Sequence, residues 1–215
     1  MLTNYCTKEL TSEAVRTMLL FYPKIPITII DNGSKDDSTE YIKVLGKKYL
    51  NITAILNEKN VGHGLAMNEG IRLAKTPFVF LYDSDASLTR GGLLEAMLAE
   101  FAKKPKKLYA IGWLRQVDKF SGVPTGAKGM PYVHPHAAMI DRGKFMQLKP
   151  MENSGAPCTA NARSALAKNF QLQDFPIRKY IEHLEAGTRR MFHGHWKPKA
   201  TVKAKAWRAD EHYPI

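Results

Sequence analysis

Two hundred and fifteen residues are enough for one sizeable domain with at most a short appendage. Hydrophobic residues at 44% and charged residues at 24% are ordinary globular proportions and exclude wholesale disorder. The 32 Lys and Arg against 20 Asp and Glu leave a formal charge of +12, so an anionic partner is expected, whether nucleotide, nucleic acid or lipid surface.

Met1–Tyr5 reads as a short strand, and Glu9–Phe21 carries Leu10, Ala14, Val15, Met18 and Leu19 at helical spacing. Pro23 stops that helix and Pro26 opens Ile27–Ile30, a β-branched run that predicts a buried strand. Asp31-Asn32-Gly33-Ser34 is a sharp turn, and Asp36, Asp37 and Ser38 suit the start of a helix through Ile42 and Leu45. Ile52–Leu56 is the next strand, Gly62–Ala74 a glycine-led helix, Phe78–Tyr82 a continuous apolar strand and Arg90–Lys103 an amphipathic helix. Repeated strand–helix units predict an α/β fold with a mainly parallel sheet covered on both faces, and ligands at the carboxyl ends of its strands.

The second half is less regular. Lys107–Trp113 predicts a strand, Arg115–Pro131 a polar mobile loop, and Ala137–Ile140 a strand ended by the turn Asp141-Arg142-Gly143. Ala160–Lys168 predicts a short helix and Phe170–Tyr180 a strand region; from His193 the chain alternates aromatic and basic residues without a period. No internal repeat or linker divides it. Cys6 and Cys158 are the only cysteines, which excludes a disulfide framework or a cysteine-built zinc site and favours a reducing compartment. The longest apolar stretches, Met18–Tyr22 and Phe78–Tyr82, fall short of the roughly 20 residues of a membrane helix, and Lys8 and Glu9 interrupt any secretory signal at Met1. A soluble, cytoplasmic chain is expected, peripheral to membranes at most.

Asp83-Ser84-Asp85 follows directly on the apolar strand Phe78–Tyr82, a costly place for unpaired carboxylates. On an extended backbone Asp83 and Asp85 point to one side and share a cation such as Mg²⁺ or Mn²⁺, which completes its shell with substrate phosphates. The alternative is that they cap the helix beginning near Arg90. Asp31 stands in the same situation at the end of Ile27–Ile30. Asn60-Val61-Gly62-His63-Gly64 then opens a helix containing Asn68 and Gly70, either as a plain turn or as backbone aimed at phosphate. Beside two acidic strand ends the second reading gains weight.

Ile27-Thr28-Ile29-Ile30-Asp31-Asn32-Gly33-Ser34, the block Asn60–Gly70 and Phe80-Leu81-Tyr82-Asp83-Ser84-Asp85 resemble, in order and spacing, the family 2 glycosyltransferases of the GT-A fold. The likeness is close over Met1–Phe101 and loose beyond. It implies a Rossmann-like single GT-A domain, with residues 1–101 the nucleotide-sugar half, 102–192 the acceptor half and 193–215 a basic tail. It also implies metal-dependent transfer of a sugar from a nucleoside-diphosphate sugar, UDP foremost, with inversion. Asp31 would then meet the base or ribose, as would Thr3, Asn4 and Tyr5. Asn60, Gly62, His63, Gly64 and Asn68 would line the donor pocket. Asp85 would be the metal ligand, with Asp83 facing ribose or metal-bound water. In Tyr180–Leu184, which is similar to a histidine-bearing segment of that fold, His183 is a third-ligand candidate, the alternative being a surface histidine. Arg189 and Arg190 are candidates for the diphosphate.

One departure stands out. Inverting members show an acidic pair about two dozen residues before that histidine, whereas here the stretch is Gly155-Ala156-Pro157-Cys158-Thr159. A base must reach the acceptor hydroxyl, and Glu152 ranks first, Asp174 second. His134 and His136 lie just before a strand on one face, suited to the acceptor site or to proton transfer, although ordinary loop histidines read the same way. The acceptor is a glycan or a hydroxylated base in DNA; the latter fits the charge and the tail, where Trp196 and Trp207 stand among lysines. The rival class is a non-catalytic nucleic-acid-binding α/β module, which leaves Asp31, Asp83 and Asp85 unexplained.

Overall fold

The computed structural model describes residues 1–118, 128–153 and 156–184. In chain order the first half comprises β1 (Leu2–Asn4), α1 (Lys8–Phe21), β2 (Ile27–Asp31), α2 (Ser38–Lys48), β3 (Ile52–Leu56), α3 (His63–Leu73), β4 (Phe78–Asp83), β5 (Ala86–Leu88) and α4 (Leu93–Lys103). The second half adds β6 (Leu108–Val117), β7 (Met130–Asp141), α5 (Arg142–Phe145), α6 (Thr159–Ala167), β8 (Gln171–Asp174), a 3₁₀ turn at Ile177–Lys179 and β9 (Ile181–His183).

Seven strands form one sheet in the order β3-β2-β1-β4-β7-β6-β8. β1 to β4 are parallel neighbours, β7 is antiparallel to both β4 and β6, and β8 is parallel to β6. Six strands therefore share one direction and β7 alone opposes them. Alternation along β4 explains its unbroken apolar run. Val79 and Leu81 enter one core with Met67 and Ile71 of α3, while Tyr82, flanked by Phe78 and Phe80, enters the other with Met18 of α1 and Met97 of α4. Each such buried side chain contributes about 1.5–3 kcal/mol.

The expected loop Arg115–Pro131 is shorter than its polarity predicts. Leu114, Arg115, Gln116 and Val117 pair with Val133, Tyr132, Pro131 and Met130, so β6 and β7 continue as a two-stranded ribbon whose Val117, Tyr132 and Val133 are buried in the core shared with α3. Backbone pairing and the burial of Val117, Tyr132 and Val133 hold this part together, while Arg115 and Gln116 give no apolar alternation to announce it. His134 and His136 consequently lie inside β7, not ahead of it. β8 takes only Gln171–Asp174 of the expected Phe170–Tyr180 strand, because Pro176 has no N–H to extend the ladder and the chain turns at Ile177. Asp83 and Asp85 do not cap a helix: the turn between them leads into β5.

Candidate active site

Parallel pairing sets the carboxyl ends of β1, β2 and β4 in a row, Asn4 opposite Asp31 and Thr3 opposite Asp83. Asp31 is 1% exposed and accepts from Asn4 Nδ2 at 2.8 Å, Ser34 Oγ at 2.5 Å and Thr39 Oγ1 at 2.6 Å. Hydrogen bonds to a charged group contribute about 1.5–3 kcal/mol each, which makes a buried carboxylate tolerable. Asn4 is committed on its other side as well, its Oδ1 accepting from the hydroxyls of Thr7 at 2.9 Å and Thr11 at 2.8 Å. It ties β1 to α1 and β2, while its neighbours Thr3 and Tyr5 are half-buried.

The glycine turn is shaped by close approach. Gly62 has a φ of +94°, and a Cβ there would lie 2.1 Å from the Asn153 amide; one on Gly64 would lie 2.2 Å from the Glu152 carbonyl oxygen. Both glycines let residues 151–153 lie against the first turn of α3. Asn153 completes the contact, donating to Val61 O at 2.6 Å and accepting from Leu65 N at 3.3 Å. Asn32 Oδ1 takes Val61 N at 3.1 Å and Asn60 Oδ1 takes Gly62 N at 2.8 Å. Three amides that an open phosphate cradle would use are thus engaged within the fold. Asn68 is buried and bonds the Met151 backbone twice, at 2.8 and 2.9 Å.

Asp83 and Asp85 bracket the turn between β4 and β5, and β5 pairs antiparallel with β9, setting Ala86 opposite His183. Leu184 N donates to Asp85 O at 2.9 Å, extending the ribbon by one bond. Ala86, Leu88 and Ile181 are in the core, and this burial pins the register. A one-residue slip would turn His183 to the other face. In the native register His183 Nε2 is 3.2 Å from Asp85 Oδ1, and the donor atoms of Asp83, Asp85 and His183 all lie within 4.8 Å of one another. His63 Nε2, at the start of α3, is 3.6 Å from Asp83 Oδ1. Burial raises the Asp83 carboxyl above the usual range, His63 lowers it, Asp85 raises it further and His183 opposes. Oxygen and imidazole donors at this spacing fit one divalent cation, which would also relieve the desolvated carboxylate.

The structure brings His134 and His136 to the same place. Their Nδ1 atoms are 2.8 Å apart, so one ring donates a proton to the other, and the His136 ring centroid lies 4.4 Å from that of His183. Burial first, then the His183 and Arg115 charges, lowers His134 to about 4. Burial, then His134, His183, Arg178 and Arg115, lowers His136 to about 2. Both are neutral at pH 7. Trp113 packs on the pair with centroid distances of 5.8 and 5.5 Å, and carries Arg115 and Arg178 over its ring at 4.7 and 5.0 Å.

Glu152 is exposed, with its backbone against α3; Asp174 is exposed and accepts from Leu114 N at 2.9 Å. Arg189, Arg190 and the tail 193–215 lie outside the described residues. The sequence reading missed the β5–β9 ribbon, the meeting of His134 and His136 with His183, and Asn153. Only the spacing of His134 and His136, two residues apart, hinted at any of this.

A seven-stranded sheet in this order, with an Asp-x-Asp turn at the end of β4, is the architecture of GT-A glycosyltransferases. The chain belongs to glycosyl transferase family 2, whose family profile matches residues 4–169. It is similar to a poly-beta-1,6-N-acetyl-D-glucosamine synthase of Staphylococcus epidermidis, 31% identical over 107 residues, 49% of this chain and 26% of that protein. It is also similar to a dolichyl-phosphate beta-glucosyltransferase of Trichomonas vaginalis, 27% identical over 88 residues, 40% of this chain and 27% of that one. The chain thus spans only about a quarter of the length of these relatives. In three dimensions it resembles the mannosyltransferase PcManGT of Pyrobaculum calidifontis, solved with GDP-Man and Mn²⁺, with a TM-score of 0.63, 14% identity, and coverage of 81% of this chain and 53% of that one. Residues 1–349 of S. aureus TarS give a TM-score of 0.63 at 15% identity, covering 88% of this chain and 61% of that one. At such identities the likeness carries the fold alone. Among the described residues no helix is long and apolar enough to cross a membrane.

Proposed function

We propose that the chain transfers a sugar from a nucleoside-diphosphate sugar, UDP foremost, by a single displacement that inverts the anomeric carbon. The observation that carries this reading is the convergence of Asp83, Asp85 and His183 at the carboxyl edge of the sheet, donor atoms within 4.8 Å. Asp85 and His183 hold a divalent cation from the ribbon, and Asp83 reaches it or the ribose from the end of β4. One imidazole among oxygens favours Mn²⁺ over Mg²⁺. When bound, the cation stabilises the charge that develops on the departing diphosphate. The nucleoside lies along the ends of β1 and β2, over Thr3 and Tyr5, where the Asp31–Asn4 network keeps the floor rigid. Asn60, Gly62, Gly64 and Asn68 shape the pocket by packing, and His63 holds Asp83 in place. Structural relatives solved with GDP-Man and Mn²⁺ and with UDP-GlcNAc accord with this donor class, and the carboxylate and imidazole donors of this chain suit such a metal.

The acceptor is read as an anionic glycan or lipid-linked group. The DNA-base and nucleic-acid-module readings drew on the tail, which lies outside the described residues. A thermal-shift panel of UDP and GDP with and without Mn²⁺ tests the donor site. Ligand at a hundred times its dissociation constant stabilises by about 2.7 kcal/mol, which is about 5–10 °C for a domain of this size. The shift is expected only with metal and is expected to vanish in Asp85→Ala. A metal-independent shift, or one retained by Asp85→Ala, overturns the assignment.

A further inference from the structure

We propose that the amino edge of the seven-stranded sheet, opposite the candidate site, docks on an anionic lipid bilayer, its lysines meeting the headgroups and its exposed apolar side chains entering below them. This surface serves no step of the glycosyl transfer assigned above and stands whether or not that reading holds.

The first ground is charge gathered by topology. β2, β3, β4, β6 and β8 run in one direction, so the connections that enter them, residues 22–26, 49–51, 74–77, 104–107 and 168–170, lie along one edge. Bonds between neighbouring connections hold them in place: Ile27 N donates to Asn51 O, Arg142 N to Pro77 O, Lys144 Nζ to Pro105 O and Gln171 N to Lys107 O. These connections carry Lys24, Lys75, Lys104, Lys106, Lys107 and Lys168, all exposed, and neither an acid nor an arginine. None of the six forms an ion pair among the described residues. The connections that leave β1 to β5, residues 5–7, 32–37, 57–62, 84–85 and 89–92, instead set Asp36, Asp37, Glu58 and Asp85 against Lys35, Lys59 and Arg90. The cationic excess therefore belongs to one edge. The six residues of β4 separate the two edges by about 17 Å, beyond a Debye length of about 8–10 Å, so these lysines do not serve a diphosphate at Asp85.

The second ground is apolar exposure on the same edge. Leu50, in the connection into β3, is wholly exposed. Leu20 and Leu73 stand in the last turns of α1 and α3, which end at this edge, and Met146 stands one turn past the end of β7, each about half exposed. Exposed leucines scattered singly are ordinary. Interleaved with lysines along one edge, they match interfacial surfaces, where apolar side chains lie at the acyl boundary and cations meet lipid phosphates. Nucleic acid fits this edge less well, since it is gripped by arginine forks and by aromatic rings that stack on bases. Arg142 spends its guanidinium on the carbonyls of Ile71 and Arg72, and a duplex offers Leu50 and Met146 no apolar partner. Docked through this edge, the chain holds its carboxylate turn about 17 Å from the headgroups and open to water.

The test is sedimentation of the full chain with sucrose-loaded vesicles of phosphatidylcholine, alone or with about 30% phosphatidylglycerol. Binding at least tenfold tighter to the anionic vesicles is expected at about 0.1 M salt, with that advantage lost by about 0.5 M as screening shortens. Each lysine near an anionic leaflet strengthens binding about fivefold, so Lys106→Ala combined with Lys107→Ala should weaken it about ten- to thirtyfold. Lys35→Ala combined with Lys59→Ala removes the same charge from the opposite edge and should change it less than twofold. Leu50→Ser should weaken binding at least threefold and leave its salt dependence in place. All five side chains are exposed, so the variants keep the fold of the parent. Equal losses from the two lysine pairs overturn the proposal. So does indifference to anionic lipid, indifference to Leu50→Ser, or tighter binding to duplex DNA than to the vesicles at the same salt. The metal-dependent UDP shift reports on the donor site separately and should be the same in all of these proteins.

Discussion

Replacing Asn68 by alanine tests whether one side chain clamps the two halves of the domain together. Asn68 lies on α3 and its partner Met151 follows α5, 83 residues later; the carboxamide gives and takes one backbone hydrogen bond at 2.8 and 2.9 Å. Both residues are 2% exposed, so water does not replace the lost partner at no cost. Asn68→Ala leaves the Met151 N–H and C=O unpaired, at about 1–3 kcal/mol each, and a loss of about 2–6 kcal/mol follows. Urea titration with linear extrapolation reads it directly, and the melting temperature should fall by about 5–15 °C. Asn68→Asp is the informative companion. It keeps the acceptor for Met151 N–H but faces the Met151 carbonyl with an oxygen, so at neutral pH it should be at least as damaging. The metal-dependent UDP shift, scaled to the lower melting temperature, should persist, because both hydrogen bonds of the Asn68 side chain are spent on the Met151 backbone. Stability within 0.5 kcal/mol of the parent, with an unchanged urea slope, would refute the clamp.

Gly64→Ala places a methyl group where the Glu152 carbonyl oxygen stands 2.2 Å away, and the segment 151–153 must retreat. Overpacking of this kind costs about 1–3 kcal/mol, and an unchanged urea midpoint would contradict the close approach. The histidine pair makes the metal-free protein acid-sensitive. His134 and His136 have folded values of about 4 and about 2, below the ordinary 6.5, so between these limits the unfolded chain binds more protons than the native one. Their contribution is complete above pH 6.5 and is lost as the pH falls, by up to about 1.4 kcal/mol per pH unit for each ring. Urea midpoints measured in chelator from pH 7.5 to 5 should therefore decline, and less steeply in His136→Gln; equal slopes in the two proteins would contradict the assignment.

Much of the first half of the domain is legible in its residues. Ile52–Leu56 is a strand with the bounds its apolar run announces, and Phe78–Tyr82 falls one residue short of β4. Strands buried on both faces are short continuous apolar runs, and the helices between them carry their own periodicity, so local chemistry is sufficient. Legibility fails where pairing replaces burial. Arg115, Gln116 and Pro131 are strand because their backbones pair across the ribbon, and only Val117, with Met130 against it, reaches the core there. β5 and β9 are three residues each, too short for any period.

The acids of the site could be named from the sequence because a carboxylate at the end of a buried strand is costly wherever the rest of the chain goes. Its imidazoles could not be placed in the same way. His183 faces Asp85 only through an antiparallel register held by Leu88 and Ile181, and His136 meets His183 only because β7 pairs with β4. Nor does a carboxamide in a sequence reveal its partner: Asn4, Asn68 and Asn153 spend their hydrogen bonds inside the protein, a fact that exists only once distant segments have packed. Sequence alone therefore determined most of the strand and helix order of the first half and the acidic edge of the sheet, each a consequence of local burial and local charge. Tertiary structure decided which nitrogens stand beside those acids and which polar groups are left for a ligand, because both depend on pairings between residues far apart in the chain.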